Sequence, residues 1–425
     1  APALVIAIQP PGDVSFDCTV ACDLDADGIR DCAVLTDARR PGSTITAWSL
    51  ARGEVLRSAR ATDAANARVA WQSLCSLGDV TGDGAAEIVV GSHEFERGSW
   101  IVYGEWLECR DGRTGAVVWR QRPEEVTIGL PLLEIGGTYG GTYDSQSLTA
   151  VGDVDGDGAA DFALVSANRS AARYVSGTWG ICSGRTGRTL HGEAGPAPEE
   201  LYGRLGSCRD LDGDGIQEVF TSPVENDDQL RSGKDGHVLR TLDLDGSAQD
   251  VGETPDFDGD GVPEIAVKST RTNLLEQEHT RWLFVSSRTG KVARRTRSGP
   301  RGGYQDLRFV RDAATAELVM WTLTSTAIEA RALKSERVLS SLELGRGIEG
   351  QLIEAGDIDG DGQCDLLIAM SSCGSKLFDA EPSSGAILMG NALRERLAAL
   401  GGARAAYGGK GLMLGVVLPH GLSDR

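Results

Sequence analysis

No stretch of this chain approaches the 18 or more consecutive apolar residues that a membrane-spanning helix needs. The longest apolar runs, Leu4 to Ile8 and Leu412 to Leu418, are of strand length. Histidine is scarce, with five scattered residues, and none of the nine cysteines forms a C-x-x-C pair, which argues against a zinc site. Neither G-x-S-x-G nor H-E-x-x-H occurs, so no hydrolase or metalloprotease motif is present. A basic stripe is missing too, and the net charge of −20 disfavours nucleic acid as a partner. Aromatic residues make up only 5% of the 425 residues, against 40% hydrophobic residues and 56 glycines. That mixture suits many short strands joined by tight turns, and it is too apolar for a disordered chain.

A repeat dominates what is there. The pattern D-x-[DT]-x-D-G-x-x-[DE] occurs six times, beginning at Asp23, Asp79, Asp153, Asp210, Asp256 and Asp357. A short β-like run follows each copy, such as Ile88-Val89-Val90 or Ile265-Ala266-Val267. The starts lie 56, 74, 57, 46 and 101 residues apart, so the last interval has room for a degenerate copy. Gln305 to Asp312 and Glu317 to Met320 supply its two strands, without the glycine and the middle aspartates. Downstream of the intact loops lie further turns, among them Asp111-Gly112-Arg113-Thr114-Gly115 and Ser183-Gly184-Arg185-Thr186-Gly187. Glycine supplies the positive φ such turns require.

Each unit therefore reads strand, acidic loop, strand, connection, strand, turn, strand, which is a propeller blade. The expected fold class is all-β: a seven-bladed β-propeller of four-stranded antiparallel blades, with a degenerate loop in the sixth blade and a short C-terminal appendage. Residues 1–390 are expected to form the propeller and 391–425 a tail of one helix and one strand. Leu393, Leu397 and Leu400 carry the helical spacing of that tail. The tail, or the N-terminal strand Leu4 to Ile8, closes the ring by pairing with the opposite terminus, or else forms a loose appendage.

Clustered carboxylates repel one another unless a cation compensates them. Acids at positions 1, 3 and 5 turn oxygens inward, glycine at position 6 permits a sharp bend, and the acid at position 9 can chelate with both oxygens. Such a set of hard oxygen ligands suits calcium. The expected ligands are Asp23, Asp25, Asp27 and Asp31; Asp79, Thr81, Asp83 and Glu87; Asp153, Asp155, Asp157 and Asp161; Asp210, Asp212, Asp214 and Glu218; Asp256, Asp258, Asp260 and Glu264; and Asp357, Asp359, Asp361 and Asp365. Charge supports this reading. The six loops hold 23 of the 62 acidic residues and one basic residue, Arg30, so the rest of the chain is close to neutral. About six structural Ca²⁺ ions are expected, pinning two strands of each blade.

At Gly78-Asp79-Val80-Thr81-Gly82-Asp83-Gly84, Gly152-Asp153-Val154-Asp155-Gly156-Asp157-Gly158 and Gly356-Asp357-Ile358-Asp359-Gly360-Asp361-Gly362, the chain resembles the FG-GAP repeat family. That family includes the N-terminal propeller of integrin α-chains and many bacterial surface proteins. The resemblance spans roughly residues 15 to 390 and implies a seven-bladed propeller, structural calcium and an extracellular or cell-surface location. It departs from the family in lacking most aromatic-glycine signatures, Tyr202-Gly203 being the nearest, and in carrying calcium loops in nearly every blade. The chain begins at Ala1 rather than Met, which fits either a secretory signal already removed or a trimmed start.

The expected function is that of a binding, adhesion or scaffold module for a protein or glycan ligand, with catalysis disfavoured. Tyr139, Tyr143, Trp100 and Trp106 are the candidate ligand-binding aromatics, because rings on exposed loops suit sugar stacking and protein recognition. Packing between blades is the plainer role for Trp100 and Trp106. The alternative is a polysaccharide lyase or another carbohydrate-active enzyme using calcium. The cysteines leave the compartment open, with a disulfide among Cys18, Cys22 and Cys32 as one option. Oligomeric state is open as well, and a monomer suffices.

Overall fold

The computed structural model describes residues 3–8, 16–36, 42–52, 54–61, 68–95, 102–121, 146–170, 173–194, 202–223, 228–244, 246–256, 261–272, 278–296, 304, 306–311, 318–333, 335–343, 348–357, 364–372 and 413–418. Every regular element among them is a strand. Six blades are continuous runs of chain, each an antiparallel meander of four strands. Blade 1 holds β2 (Phe16–Cys22), β3 (Asp31–Thr36), β4 (Thr44–Ser49) and β5 (Glu54–Arg60). Blade 2 holds β6 (Arg68–Gly78), β7 (Glu87–Phe95), β8 (Val102–Arg110) and β9 (Val117–Gln121). Blade 3 holds β10 (Gln146–Gly152), β11 (Asp161–Ser170), β12 (Arg173–Cys182) and β13 (Thr189–Ala194). Blade 4 holds β14 (Tyr202–Cys208), β15 (Glu218–Pro223), β16 (Asp228–Arg231) and β17 (Val238–Leu242). Blade 5 holds β18 (Ser247–Glu253), β19 (Ile265–Thr272), β20 (Glu278–Val285) and β21 (Val292–Arg295). Blade 6 holds β22 (Asp306–Arg311), β23 (Leu318–Leu323), β24 (Ala327–Ala332) and β25 (Val338–Glu343).

Seven consecutive self-contained blades followed by an appendage are not what the chain forms. Six complete blades of a β-propeller come from contiguous sequence, and the last acidic repeat has only β26 (Ile348–Gly356) and β27 (Asp365–Ser372) of its own. Its sheet is composite, in the order β1-β28-β27-β26, with β28 (Met413–Leu418) from the C-terminal end and β1 (Ala3–Ile8) from the N-terminal end. Leu366 faces Val417 and Leu4 faces Val417 across the two antiparallel ladders. The physical reason is the unpaired edge: two strands alone are marginal in water and present open N–H and C=O groups, which the chain ends satisfy. The helix expected over 391–400 lies outside the described residues.

Inner strands β2, β6, β10, β14, β18, β22 and β26 pack in succession, and β26 packs back on β2. The cores lie between blades. Leu24, Leu35 and Ile45 of blade 1 share one cluster with Trp71, Ile88 and Val90 of blade 2. Cys75, Val89 and Cys109 of blade 2 share another with Phe162, Leu164 and Cys182 of blade 3. Because both faces of each blade are covered, strands such as β3 are buried along their whole length rather than at alternate residues. Cys22, Cys109 and Cys182 are buried thiols, so no disulfide involves Cys22. Burial pushes the Cys22 and Cys109 thiols up to about 12, and they act as small hydrophobes.

Candidate metal centre

In a meander, the connection between strands one and two opens at the same end as the turn between strands three and four. The acidic loops therefore occupy one end of each blade, beside the glycine turns. A bulge precedes several of them: the register shifts at Ser76/Gly78, Ala150/Gly152 and Glu354/Gly356. Gly78, Gly152 and Gly356 sit there at φ of 74°, 96° and 79°, which glycine adopts without strain. The bulge turns the chain out of the ladder so that the next residue, the first aspartate, heads the loop.

Loops 1 to 4, beginning at Asp23, Asp79, Asp153 and Asp210, share one hydrogen-bond scheme. The first aspartate folds the loop around its own side chain. Asp153 accepts the amides of Gly156 at 2.8 Å and Gly158 at 2.9 Å, and Asp210 those of Gly213 at 2.6 Å and Gly215 at 2.8 Å. Asp79 does the same with Gly82 and Gly84, and Asp23 accepts the Gly28 amide. The fifth residue caps the loop's exit, the Ala159 amide donating to Asp157 at 2.9 Å and the Ile216 amide to Asp214 at 2.9 Å. Position 9 opens the second strand. Its carboxylate turns back into the loop: Asp161 accepts the Val154 amide at 2.7 Å, Glu87 the Val80 amide at 2.6 Å, Glu218 the Leu211 amide at 3.0 Å and Asp31 the Leu24 amide at 2.9 Å.

The ninth acids are the buried members of an otherwise exposed or half-buried set, with Asp31, Glu87 and Asp161 at 0% exposure and Glu218 at 1%. Desolvation raises all four above the usual carboxylate range, Asp31 and Glu218 to about 7. Neighbouring aspartates add to the rise at Asp31, while its backbone hydrogen bond works against it. Two of these acids also hold a buried oxygen with no hydrogen-bond partner: Asp31 Oδ1 and Glu218 Oε2. A buried carboxylate oxygen left unsatisfied is costly.

Carboxylate oxygens converge within 4.8 Å in four groups: Asp23, Asp25 and Asp27; Asp79, Asp83 and Glu87; Asp153, Asp155 and Asp161; Asp210, Asp212 and Glu218. Hard oxygen donors converge in all four groups, the buried ninth acid joins three of them and Glu218 adds an orphaned oxygen, and such sets fit a divalent cation of the calcium type. Asp157 and Asp214 bracket the third and fourth groups as exit caps. Thr81, an expected ligand, donates its hydroxyl to Glu87 at 3.2 Å. Of loop 5, Asp256 accepts the Gly261 amide at 2.8 Å and Glu264 is buried, while Asp258 and Asp260 lie outside the described residues. In the composite sheet Asp357 is exposed and Asp365 opens β27; Asp359 and Asp361 lie outside the described residues.

Of the aromatic candidates, Trp106 lies in β8, half-buried, with the Arg120 guanidinium 5.5 Å from its ring centre and that arginine paired to the buried Glu108 at 2.5 Å. Trp100, Tyr139 and Tyr143 lie outside the described residues.

Three features of the loop end were not anticipated. Position 4 also takes positive φ, filled by Gly82, Gly156 and Gly213 but by Ala26, at φ 64°, in loop 1. The third residue of the neighbouring turn is basic and reaches the loop: Arg185 lies 3.1 Å from Asp157, Lys234 lies 3.8 Å from Asp214, and Arg52 pairs with Asp25. Position 8 stitches loops between blades, the Ala86 amide donating to the Asp23 carbonyl at 2.7 Å and Gln217 to Val151 at 3.0 Å. The recurring basic residue after the turn glycine was visible in the sequence; its proximity to the loop was not.

No protein-family model matches the chain, and no curated protein matches it in sequence. Solved structures do match in shape. A rhamnogalacturonan lyase, YesW, aligns at 16% identity and TM-score 0.50, over 88% of this chain and 70% of its own. A europium-containing methanol dehydrogenase aligns at 14% identity and TM-score 0.52, over 93% and 82%. BBS1N, solved in complex with ARL6DN, aligns at 11% identity and TM-score 0.51, over 86% and 93%. At such identities the likeness is one of fold.

Proposed function

We propose that this chain is an extracellular, calcium-stabilised propeller of the FG-GAP type, serving as a binding or adhesion scaffold for a protein or glycan ligand. The observation that supports it most is the ninth acid, buried in loops 1 to 5 and carrying, in Asp31 and Glu218, an oxygen with no hydrogen-bond partner. A bound calcium supplies the missing partner and offsets the local negative charge. Modules outside the cell meet calcium at concentrations where sites with dissociation constants of about 10⁻⁴–10⁻³ M fill. The experiment is ion counting on metal-stripped protein: native mass spectrometry against a calcium series should show several ions added, and a chain that gains none refutes the reading. Ligand class is then read from a glycan array and a protein-capture screen run with and without calcium.

A second reading, a polysaccharide-active enzyme, draws on the rhamnogalacturonan lyases among the structural neighbours, whose likeness is one of fold. Incubation with acidic polysaccharides tests it. New absorbance of an unsaturated uronide supports a lyase, and a flat trace leaves the scaffold reading standing alone.

A further inference from the structure

Loops 1 to 4 are not equivalent, and loop 1 is the outlier. In loops 2 to 4 the ninth acid converges with the aspartates ahead of it, whereas in loop 1 the converging trio is Asp23, Asp25 and Asp27. Asp31 is fully buried and keeps Oδ1 unpartnered. Arg52, from the turn between β4 and β5, pairs with Asp25, lies 3.6 Å from Asp27 and reaches Glu54 at 2.7 Å. One guanidinium thus spans two carboxylates of the loop. In loops 3 and 4 the ion pairs from the equivalent turns are single: Arg185 to Asp157 at 3.1 Å, and Lys234 to Asp214 at 3.8 Å. Loop 1 alone among these four places a residue with a β-carbon, Ala26, at the left-handed fourth position.

Resting on the calcium reading above, we propose that Arg52 is a tethered counter-cation that competes with calcium for Asp25 and Asp27, making loop 1 the weakest and most readily exchanged of the four sites. Calcium entering loop 1 must dislodge a guanidinium held by two carboxylates; at loops 3 and 4 it displaces one pair or a distant ammonium. Exposed ion pairs are individually weak, and the two at Arg52 together weaken calcium binding by about two- to thirtyfold. Loop 1 also borders the composite sheet. Arg30, its eighth residue, donates to the Glu354 carbonyl of β26 at 3.0 Å, and the Asp23 carbonyl receives Ala86 of blade 2 at 2.7 Å. Exchange at loop 1 is therefore felt on both sides, including the seam where the two chain ends meet.

The test is a calcium titration of the metal-stripped full chain by calorimetry, with native mass spectrometry for stoichiometry. Wild type should show a weak site about two- to thirtyfold below those of loops 2 to 4. Asp23→Asn should remove that site alone. Arg52→Gln should tighten it to the level of the rest, and Arg52→Lys should tighten it less. Salt gives an independent readout, because screening of the Arg52 pairs should narrow the gap in wild type and leave Arg52→Gln unaffected. Equal affinities in wild type, an unchanged weak site in Arg52→Gln, or a weak site that survives Asp23→Asn would overturn the inference while leaving the calcium scaffold intact. A chain that binds no calcium defeats the scaffold reading itself.

Discussion

Gly184 and Ala160 meet backbone to backbone: a β-carbon on Gly184 would lie 1.9 Å from the Ala160 carbonyl oxygen. The Gly184 amide also donates to Asp161 Oδ1 at 2.9 Å, so the turn of blade 3 closes directly on the buried acid of its own loop. Gly112 against Ala86 and Gly233 against Gln217 repeat the approach, at 1.7 and 1.9 Å. These glycines are required for proximity, whereas Gly115, Gly187 and Gly236 in the same turns take positive φ.

Gly184→Ala should accordingly cost about 2–4 kcal/mol, because backbone on both sides must move and a buried hydrogen bond is strained. Gly156→Ala meets open space at φ +77° and should cost only about 1 kcal/mol. Urea unfolding of the two variants checks the order, and equal costs would contradict the close approach.

Ala26 offers the opposite case. It holds φ 64°, which disfavours a β-carbon, at a position where loops 2, 3 and 4 use glycine. Ala26→Gly should stabilise the fold by about 0.5–1 kcal/mol, the relief of left-handed strain exceeding the extra flexibility of the unfolded chain. A lower melting midpoint would show that the loop relaxes without help.

Trp119 ties blade 2 to blade 3, its indole N–H donating to the Gly184 carbonyl at 2.7 Å while its ring stacks on Phe162 at 6.1 Å. Trp119→Phe keeps the ring and removes the donor. It should cost about 0.5–1.5 kcal/mol in denaturant unfolding; a neutral result would mean that water takes over the bond.

Acidity should act in an unusual direction on the metal-stripped protein. Asp31 and Glu218 titrate at about 7 in the fold, above their unfolded values, so the fold binds protons more tightly than the unfolded chain. Their contribution is present in full below the ordinary carboxylate pKa and is lost as pH rises from about 4 through about 7. Stability without calcium should therefore fall from about pH 4 to about pH 7, and Asp31→Asn with Glu218→Gln should flatten the slope. With calcium present the trend should weaken or reverse, since the ion binds the ionised acids. Stability that climbs with pH in stripped protein would contradict this.

Much of the loop end could be read from residue order alone. Asp153, Asp155, Asp157, Gly158 and Asp161 lie in one short segment, so their chemistry is local and spacing reveals it. The β-strands following each loop were equally legible, because Ile88-Val89-Val90 and its counterparts follow the acid directly. What was less legible was non-local. The closure of Leu4 and Leu366 onto the same Val417 was one of two options in the sequence, because it joins residues from opposite ends of the chain and no periodicity selects it over a loose appendage. The basic turn residues were visible as Arg185 and Lys234 but read only as parts of turns, since their approach to Asp157 and Asp214 depends on how a meander brings its two connections together.

Thermal unfolding of metal-stripped protein, scanned with excess chelator and again with millimolar calcium, is the most direct test of the oxygen-rich loops as ion sites. At about 1 mM calcium an independent site with a Kd of about 10⁻⁴–10⁻³ M adds roughly 0.4–1.4 kcal/mol, so several together should raise the midpoint clearly. Superimposable transitions in chelator and calcium would contradict the account.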